Sequence, residues 1–323
     1  MGQTLAQTPA CNTGATDPLA PPPLSAFEWT DWPLGVWRWD WARATVPAHH
    51  EALMQAIQQA AGRRLERVPG KGRFNYDSRV DFMLGDERIS TVLFGGRNGN
   101  PNVEASHDRA DWLVALLKAS RLDWMPTRLD PCIDFCRVGL YDEFRAVALQ
   151  IAQEFRTPNG QAIKFREISS PIDAYAGRTF YLGSRSGRWF LRVYEKGLMD
   201  WAPGPDGNVP PETVLGLVRV EAEIKPDSRE GRRLAAEASP MELFGVSPVL
   251  RAFAERALNV TIEPISLQVR RESSRDKALL AMGGQYQRYL SELMAECQGD
   301  FEAFGEAIAR YAGLLQDDAK LAG

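Results

Sequence analysis

Residues 127–138 read TRLDPCIDFCRV, and the order of elements seen before this stretch begins again here. Before it, the pattern predicts a strand near residues 41–46, a helix at HHEALMQAIQQAAG, a hairpin closed by GDE, a strand at NVEASH and a helix at DRADWLVALLKA. TRLDPCIDFCRV itself predicts a strand. A helix at DEFRAVALQIAQEF follows, and then antiparallel strands at GRTFYLGSR, RWFLRVYEKG and GLVRVEAEIK. This repeated order predicts an α+β fold, in which two similar halves form one curved, mostly antiparallel sheet with helices on one face.

The segments on either side of this region differ from it in composition. Residues 1–27 are rich in Thr, Pro, Ala and Gly and include APPPL, which predicts a disordered tail. Residues 228–323 carry apolar residues at helical spacing, which predicts a helical C-terminal region. Residues 28–227 are therefore expected to form the two-half domain.

The overall charge does not indicate nucleic-acid binding, but one segment does. The net charge is -4 and the pI is near 5.6, without the basic excess that is typical of nucleic-acid-binding proteins. Residues 156–196, however, contain eight basic and three acidic residues, so a phosphate backbone could lie along them. GRRLERVPGKGR at 62–73 is a second basic run, which a solvated loop explains equally well.

The sequence favours a cytoplasmic protein with no membrane association. No run approaches about 18 apolar residues, the length of a membrane-spanning helix, and the first residues lack the pattern of a secretory signal. The four cysteines include no CxxC pair, which favours a reduced compartment.

Three predicted strands carry polar side chains at every second position, so that each row shares one face. The rows are Arg128, Asp130 and Asp134; Arg192, Tyr194 and Lys196; and Arg219, Glu221, Glu223 and Lys225. If the strands are neighbours, four carboxylates converge beside a tyrosine flanked by cations. The alternative is that each strand displays a solvated face with weak cross-strand pairs.

Converging carboxylates repel one another unless a cation joins them, and oxygen-only ligands favour Mg²⁺ or Mn²⁺. A hard metal beside a tyrosine indicates chemistry on a phosphodiester. Tyr194 would then be a nucleophile whose phenolate Arg192, Lys196 and the metal favour.

Other patterns exclude some classes of protein and leave one question open. The chain has three histidines, and no two are separated by a single residue, which disfavours nicking enzymes with a His-hydrophobic-His motif. No GxxxxGK[ST] loop is present, which disfavours an ATP-driven motor. The tryptophans of WTDWPLGVWRWDW, residues 29–41, could serve core packing or form a platform on which bases stack.

The order TRLDPCID, TFYLGSRSGRWFLRVYEKG and RVEAEIK resembles the replication initiation factor family, the Rep_trans type of rolling-circle initiators. The resemblance covers roughly residues 37–225. It implies that 28–227 form a metal-dependent nicking domain whose tyrosine becomes linked to the 5′ phosphate of DNA. The nucleophile would be Tyr194. The metal ligands would be among Asp130, Asp134, Glu221 and Glu223, and Arg128, Arg192 and Lys196 match the basic positions of the motif.

The same resemblance implies a saddle-shaped sheet, a homodimer and origin DNA, single-stranded or supercoiled, as the substrate. The C-terminal helices could recognise the origin, recruit a host helicase or stabilise the dimer, and the sequence leaves these open. Tyr181 remains the competing nucleophile. Two other functions also remain open: a DNA-binding regulator of a mobile element without turnover, and a Mg²⁺-dependent nuclease that uses water.

Overall fold

A ten-stranded antiparallel sheet forms the body of the protein. The computed structural model describes residues 23–27, 34–120, 122–173, 175–202, 209–267 and 274–311. The strands are β1 Arg38–Thr45, β2 Glu66–Lys71, β3 Ser78–Leu84, β4 Glu87–Phe94, β5 Asn102–Ser106, β6 Met125–Cys136, β7 Phe165–Ile168, β8 Thr179–Gly183, β9 Trp189–Tyr194 and β10 Leu217–Ile224. Their order across the open sheet is β2-β3-β4-β5-β1-β6-β10-β9-β8-β7.

The helices of the described residues lie between and after these strands. They are α1 His50–Ala60, α2 Asp108–Ala119, α3 Leu140–Glu154, α4 Lys196–Asp200, α5 Glu212–Leu215, α6 Arg229–Glu237, α7 Pro248–Leu258, α8 Ser274–Glu296 and α9 Phe301–Tyr311. Among the described residues, none of these helices is long and apolar enough to cross a membrane.

The strand order contains the predicted repeat. Outward from the centre, it reads β1, β5, β4, β3, β2 on one side and β6, β10, β9, β8, β7 on the other. In each half the first strand is followed by a helix, four strands and a helix, with α4 and α5 inserted before β10 in the second half. The predicted α+β fold of two similar halves is therefore confirmed.

β6 is the central strand on which the second half is built. It pairs with β1 on one side and with β10 on the other, and its register against β10 is uninterrupted from Leu129 to Cys136. Pro131 therefore introduces no bulge into β6. Leu129 and Ile133 lie in the hydrophobic core under the helices, whereas Asp130 and Asp134 point to the opposite face.

β1 is irregular where β6 is regular. Its pairing with β6 shifts by one residue between Trp39 and Trp41, so Asp40 is an extra residue in β1. Such a bulge turns two consecutive side chains toward the same side of a strand. Trp39 is buried in the core, whereas Asp40 and Trp41 both contact arginines of the opposite face.

The sequence analysis missed one strand in each half. β2 and β7 are the two edges of the sheet, and neither shows an apolar alternation that would have revealed it. β2 contains Pro69 and Gly70, which are rare inside strands but tolerated at an edge. GRRLERVPGKGR is thus partly a strand and not only a loop.

Several residues outside the predicted two-half domain belong to its core. Leu24, in a short 3₁₀ turn at Leu24–Phe27 within the predicted tail, is buried and contacts α2. Residues 1–22 of that tail lie outside the described residues. Phe244 and Phe253, from the predicted C-terminal region, are fully buried in the same core cluster.

The chain divides into two compact units, Met1–Gln268 and Val269–Gly323. α6 and α7 therefore lie in the first unit, together with the sheet. The second unit contains α8 and α9, which contact each other and expose Tyr289, Phe301 and Tyr311.

Candidate active site

The three strands with polar rows are neighbours in the sheet, in the order β6-β10-β9. Tyr194 of β9 is directly opposite Arg219 of β10, and Arg219 is opposite Asp134 of β6. Arg192 is in turn opposite Glu221. α1, α2 and α3 supply core residues to the other face, so these polar side chains share a face that those helices leave open.

Each predicted carboxylate on this face is held by an arginine. Arg128 contacts Asp130 and lies 3.1 Å from Glu223, and Arg192 lies 2.5 Å from Glu221. Glu223 also forms a salt bridge of 2.5 Å with Lys225. The outer part of the site is therefore a chain of alternating acids and bases.

The inner part of the site is an ion cluster around the buried side chains of Arg219 and Asp134, and it extends to the exposed His107. Its guanidinium donates two hydrogen bonds of 2.7 Å to Asp134 and also contacts Asp40. Asp40 in turn lies 3.6 Å from Nδ1 of His107. Asp134 is thus engaged by Arg219, and Asp130, Glu221 and Glu223 are also buried.

The pKa values of this inner cluster indicate that it is charged. Burial alone would raise the pKa of Asp40, but the contact with His107 and the charge of Arg219 lower it to about 2. The same contact raises the pKa of His107 above its usual value. Asp40 is therefore an anion under all ordinary conditions.

The environment of Tyr194 keeps its phenol protonated. The ring is half-buried, and the guanidinium of Arg192 lies 4.9 Å from its centroid. Burial is the largest cause that raises the pKa of Tyr194, followed by the charge of Glu221, while Arg219 and Arg192 act in the opposite direction. Arg192 favours the phenolate as predicted, but its effect is outweighed. A phenol in this environment would need a proton acceptor before it could act as a nucleophile.

Lys196 is not placed by the strand alternation that the sequence analysis assumed. β9 ends at Tyr194, and Lys196 begins α4, where it contacts Asp200. Gly197 permits this turn, because a Cβ on it would lie only 2.1 Å from the carbonyl oxygen of Val214. The prediction that Lys196 continues the face of β9 was wrong.

Burial raises the pKa of two of the outer carboxyl groups. It raises the pKa of Asp130 to about 8; Arg128 opposes this rise, and Glu221 and Glu223 add to it. Burial and the charge of Asp40 also raise the pKa of Glu221. The pKa of Asp130 therefore lies well above that of an isolated carboxyl group, mainly because the group is removed from water.

A divalent cation suits the chemistry of this donor set but not its present arrangement. The ligands are carboxylate oxygens only, the type that Mg²⁺ and Mn²⁺ prefer, and a cation would relieve the repulsion that raises the pKa of Asp130. Yet no three His, Cys, Asp or Glu side chains among the described residues are grouped so that they could hold a metal ion. Arg128 and Arg192 form salt bridges with these acids instead.

Tyr181, the competing tyrosine, shares the face but not the surroundings of Tyr194. It is opposite Arg192 in the sheet, and its ring stacks on Phe190 with 5.2 Å between centroids. A stacked ring of this kind fits a packing role.

Sequence reasoning omitted Asp40, His107 and Arg219 from the site. Arg219 had a visible signal, since it lies at period two with Glu221 on β10. Asp40 had none, because its direction depends on the bulge in β1. His107 reaches Asp40 from the turn before α2, where its φ is +54°.

The comparisons with known proteins are sparse. No family model matches the chain, and no curated protein matches it. Among solved structures, a rolling circle replication initiator protein from Geobacillus stearothermophilus matches with 16% identity over 72% of this chain and 99% of that chain, at a TM-score of 0.46. A likeness at this level carries no information about the reaction.

Replacing Arg219 with Met should lower the free energy of unfolding by about 3–5 kcal/mol, because it leaves Asp40 and Asp134 buried without their shared partner. Chemical denaturation measures this loss. The matched control is Arg137→Met, whose pair with Glu143 is exposed, and we expect its denaturation midpoint to match that of the parent protein. A loss below about 1 kcal/mol for Arg219→Met would show that the buried cluster does not organise the sheet.

Stability in the presence of EDTA should fall as the pH rises from 6 to 8. The folded protein keeps a proton on Asp130 that the unfolded chain has already released, so raising the pH favours unfolding, by at most about 1.4 kcal/mol per pH unit. His107, whose pKa is also raised, acts in the same direction. Asp130→Asn should flatten this slope in urea titrations, and an unchanged slope would contradict the proposed protonation.

Proposed function

We propose that the protein nicks DNA and transfers the cut strand, as a rolling-circle replication initiator or relaxase of a mobile element. Tyr194 is the nucleophile in this proposal. Its phenolic oxygen forms a bond to the phosphorus of a phosphodiester, and the bond from phosphorus to the 3′ oxygen breaks. The phenolic proton passes to an acceptor in the site, and the departing 3′ oxygen takes up a proton from water. The products are a 5′-phosphotyrosyl linkage and a free 3′ hydroxyl. The linkage conserves the energy of the broken bond, so the strand can be rejoined.

The observation that carries the proposal is the position of Tyr194 on the open face. It is the tyrosine that lies beside both Arg192 and Glu221, while Arg219 is opposite it on β10. Arg192 is partly exposed and could contact a phosphate oxygen on which negative charge develops. The motif order that resembles the replication initiation factor family supports the same function.

Glu221 is the proposed proton acceptor for Tyr194. It is the acid with the strongest effect on the pKa of Tyr194, and its own pKa is raised, which makes its carboxylate a better base. Arg192 connects the two side chains, since it pairs with Glu221 and covers the ring of Tyr194.

Asp130 and Glu223 are the proposed holders of a Mg²⁺ or Mn²⁺ ion, whereas Glu221, also a predicted ligand, is assigned to proton transfer in this proposal. When bound, the ion would polarise a non-bridging phosphate oxygen. For the ion to bind, Arg128 and Arg192 would have to release the acids with which they form salt bridges. Both guanidiniums could then donate hydrogen bonds to phosphate oxygens instead. Asp134, the fourth predicted ligand, is held by two hydrogen bonds from Arg219.

A second candidate function is a DNA-binding regulator that has the fold but not the turnover. Two observations favour it. Arg128 and Arg192 form salt bridges with the acids, and no three potential metal-ligating side chains are grouped together among the described residues. The two functions differ in one outcome, namely whether DNA becomes covalently attached to the protein.

Incubation with single-stranded or supercoiled origin DNA and Mn²⁺ should give a protein–DNA adduct that survives denaturing electrophoresis. Tyr194→Phe removes only the attacking oxygen and should abolish the adduct, whereas the matched change Tyr181→Phe should preserve it. Loss of the adduct in Tyr181→Phe with retention in Tyr194→Phe would transfer the role of nucleophile to Tyr181. Nicking that survives Tyr194→Phe would identify a water-using nuclease, and specific binding without cleavage would identify the regulator.

Mn²⁺ in excess over EDTA should raise the melting temperature, because an ion that binds only the folded state stabilises it. The increase should be smaller in Asp130→Asn and in Glu223→Gln. Glu143→Gln, which alters an exposed acid paired with Arg137, is the control and should respond like the parent protein. An equal increase in all four proteins would place the ion outside this cluster.

A further inference from the structure

We infer that the N-terminal half of the open face binds single-stranded DNA through an arginine–aromatic patch. The patch consists of Trp41, Arg43, Arg73, Phe74 and Arg128. This inference rests on the proposed function in taking DNA as the ligand, and it adds where the strand lies and which groups hold it.

Guanidinium groups and aromatic rings alternate across this patch. Arg43 of β1 is directly opposite Arg128 of β6. The guanidinium of Arg43 lies 4.6 Å from the ring centroid of Phe74 and 5.7 Å from that of Trp41, and Arg128 lies 5.1 Å from the ring of Trp41. Rings on which bases stack, beside cations that contact phosphates, are the two components of surfaces that bind single strands.

The arginines of this region repel one another. Burial lowers the pKa of Arg73 most, and the charges of Arg43, Arg79 and Arg88 lower it further. Burial and the charge of Arg128 likewise lower the pKa of Arg43.

Acids among the described residues already contact these arginines. Arg128 pairs with Asp130 and Glu223, and Asp81 contacts Arg79 at 3.2 Å. Arg43 and Arg73 share one carboxylate, that of Glu104. A phosphate would give both of these guanidiniums a further acceptor.

A strained and tightly packed turn holds Phe74 at the surface. The side chain is 58% exposed, and its φ of +57° lies in a region that bulky residues seldom adopt. Asn98 donates a hydrogen bond of 3.2 Å to the carbonyl oxygen of Phe74. A Cβ on Gly72 would lie 2.1 Å from the backbone of Tyr76, and one on Gly96 would lie 2.5 Å from that of Asn75. A large apolar ring kept exposed by a strained, tightly packed turn indicates a ligand.

The patch is continuous with the candidate active site. Arg128 belongs to both, because it covers Trp41 on one side and lies 3.1 Å from Glu223 on the other. Across the sheet, β1 and β9 are three strand spacings apart, or about 14 Å. Along the strands, the row that contains Tyr194 and Asp134 lies six residues, or about 20 Å, from Arg128. A DNA strand that lies on the patch can therefore reach Tyr194 along the same face.

Single strands fit this surface better than a duplex. Stacking on Trp41 and Phe74 requires the flat faces of bases, which a duplex hides between neighbouring base pairs. The open sheet also offers rings side by side, where consecutive unpaired bases could be placed.

The test measures binding apart from cleavage, in the full-length Tyr194→Phe protein. Fluorescence anisotropy with a labelled single-stranded oligonucleotide of mixed sequence, at several salt concentrations, gives the dissociation constant and its salt dependence. Adding Phe74→Ala should weaken binding about tenfold with little change in salt dependence, because a stacking contact is lost. Adding Arg73→Gln should weaken binding and reduce the slope of log K against log salt by about 0.7.

Matched controls come from the exposed loop after β6. Arg137→Gln and Val138→Ala remove an exposed cation and an exposed apolar side chain away from the patch, and binding should be unchanged. The denaturation midpoints of all variants are measured, so that a folding defect is recognised. The same oligonucleotide annealed to its complement should bind more weakly than the single strand.

The inference is overturned if both patch variants bind like the Tyr194→Phe parent, or if the duplex binds more tightly than the single strand. Failure of the proposed function looks different. In that case the protein with Tyr194 intact forms no adduct, while the patch variants still lose binding. Conversely, an adduct with origin DNA together with unimpaired binding by both patch variants would retain the nicking function and reject the patch.

Discussion

The ion cluster around Arg219 is the interaction on which the rest of the structure depends. Its guanidinium extends from β10, forms two hydrogen bonds with Asp134 of β6 and also contacts Asp40 of β1, so it links the two halves where they meet. A buried charge is tolerated only with its partners in place, so any slip in the pairing of these three strands would be costly. Tyr194 is opposite Arg219 and Glu221 is two residues further along β10. The candidate site therefore derives its geometry from the same contact that fixes the sheet.

The two halves share a strand order but differ in the charged groups that burial perturbs on the open face. In the second half, burial raises the pKa of Asp130 to about 8, and Glu221 and Glu223 add to the rise. In the first half, burial lowers the pKa of Arg73, and the charges of neighbouring arginines lower it further. Arg128 lies between these regions and contacts members of both. Under the proposed function, a polyanion would contact the arginines of the first half before it reached Tyr194.

Much of the fold and part of the site follow from local patterns in the sequence. The apolar alternation around Asp130 and Glu221 fixed which side chains share a face, and the repeat of strands and helices predicted the two halves. The edge strands β2 and β7 were missed because an edge needs little apolar surface. Asp40 was missed because a bulge redirects it, and Lys196 was misplaced because β9 ends two residues before it. The raised pKa of Tyr194 depends on burial by neighbouring strands, which no single stretch of sequence records.

The two halves meet where β1 pairs with β6, and this pairing is compatible with an origin by duplication of one half. Cut between α2 and β6, each half would be left with its innermost strand as a bare edge, ready to pair with another copy. Two identical halves could pair these edge strands with each other, antiparallel, about a two-fold axis. Each surface of one half would then occur twice in the dimer. Fusion into one polypeptide removes the requirement that the copies stay alike. One half can then carry the buried acids around Asp130 and the other the arginines and aromatic rings around Phe74.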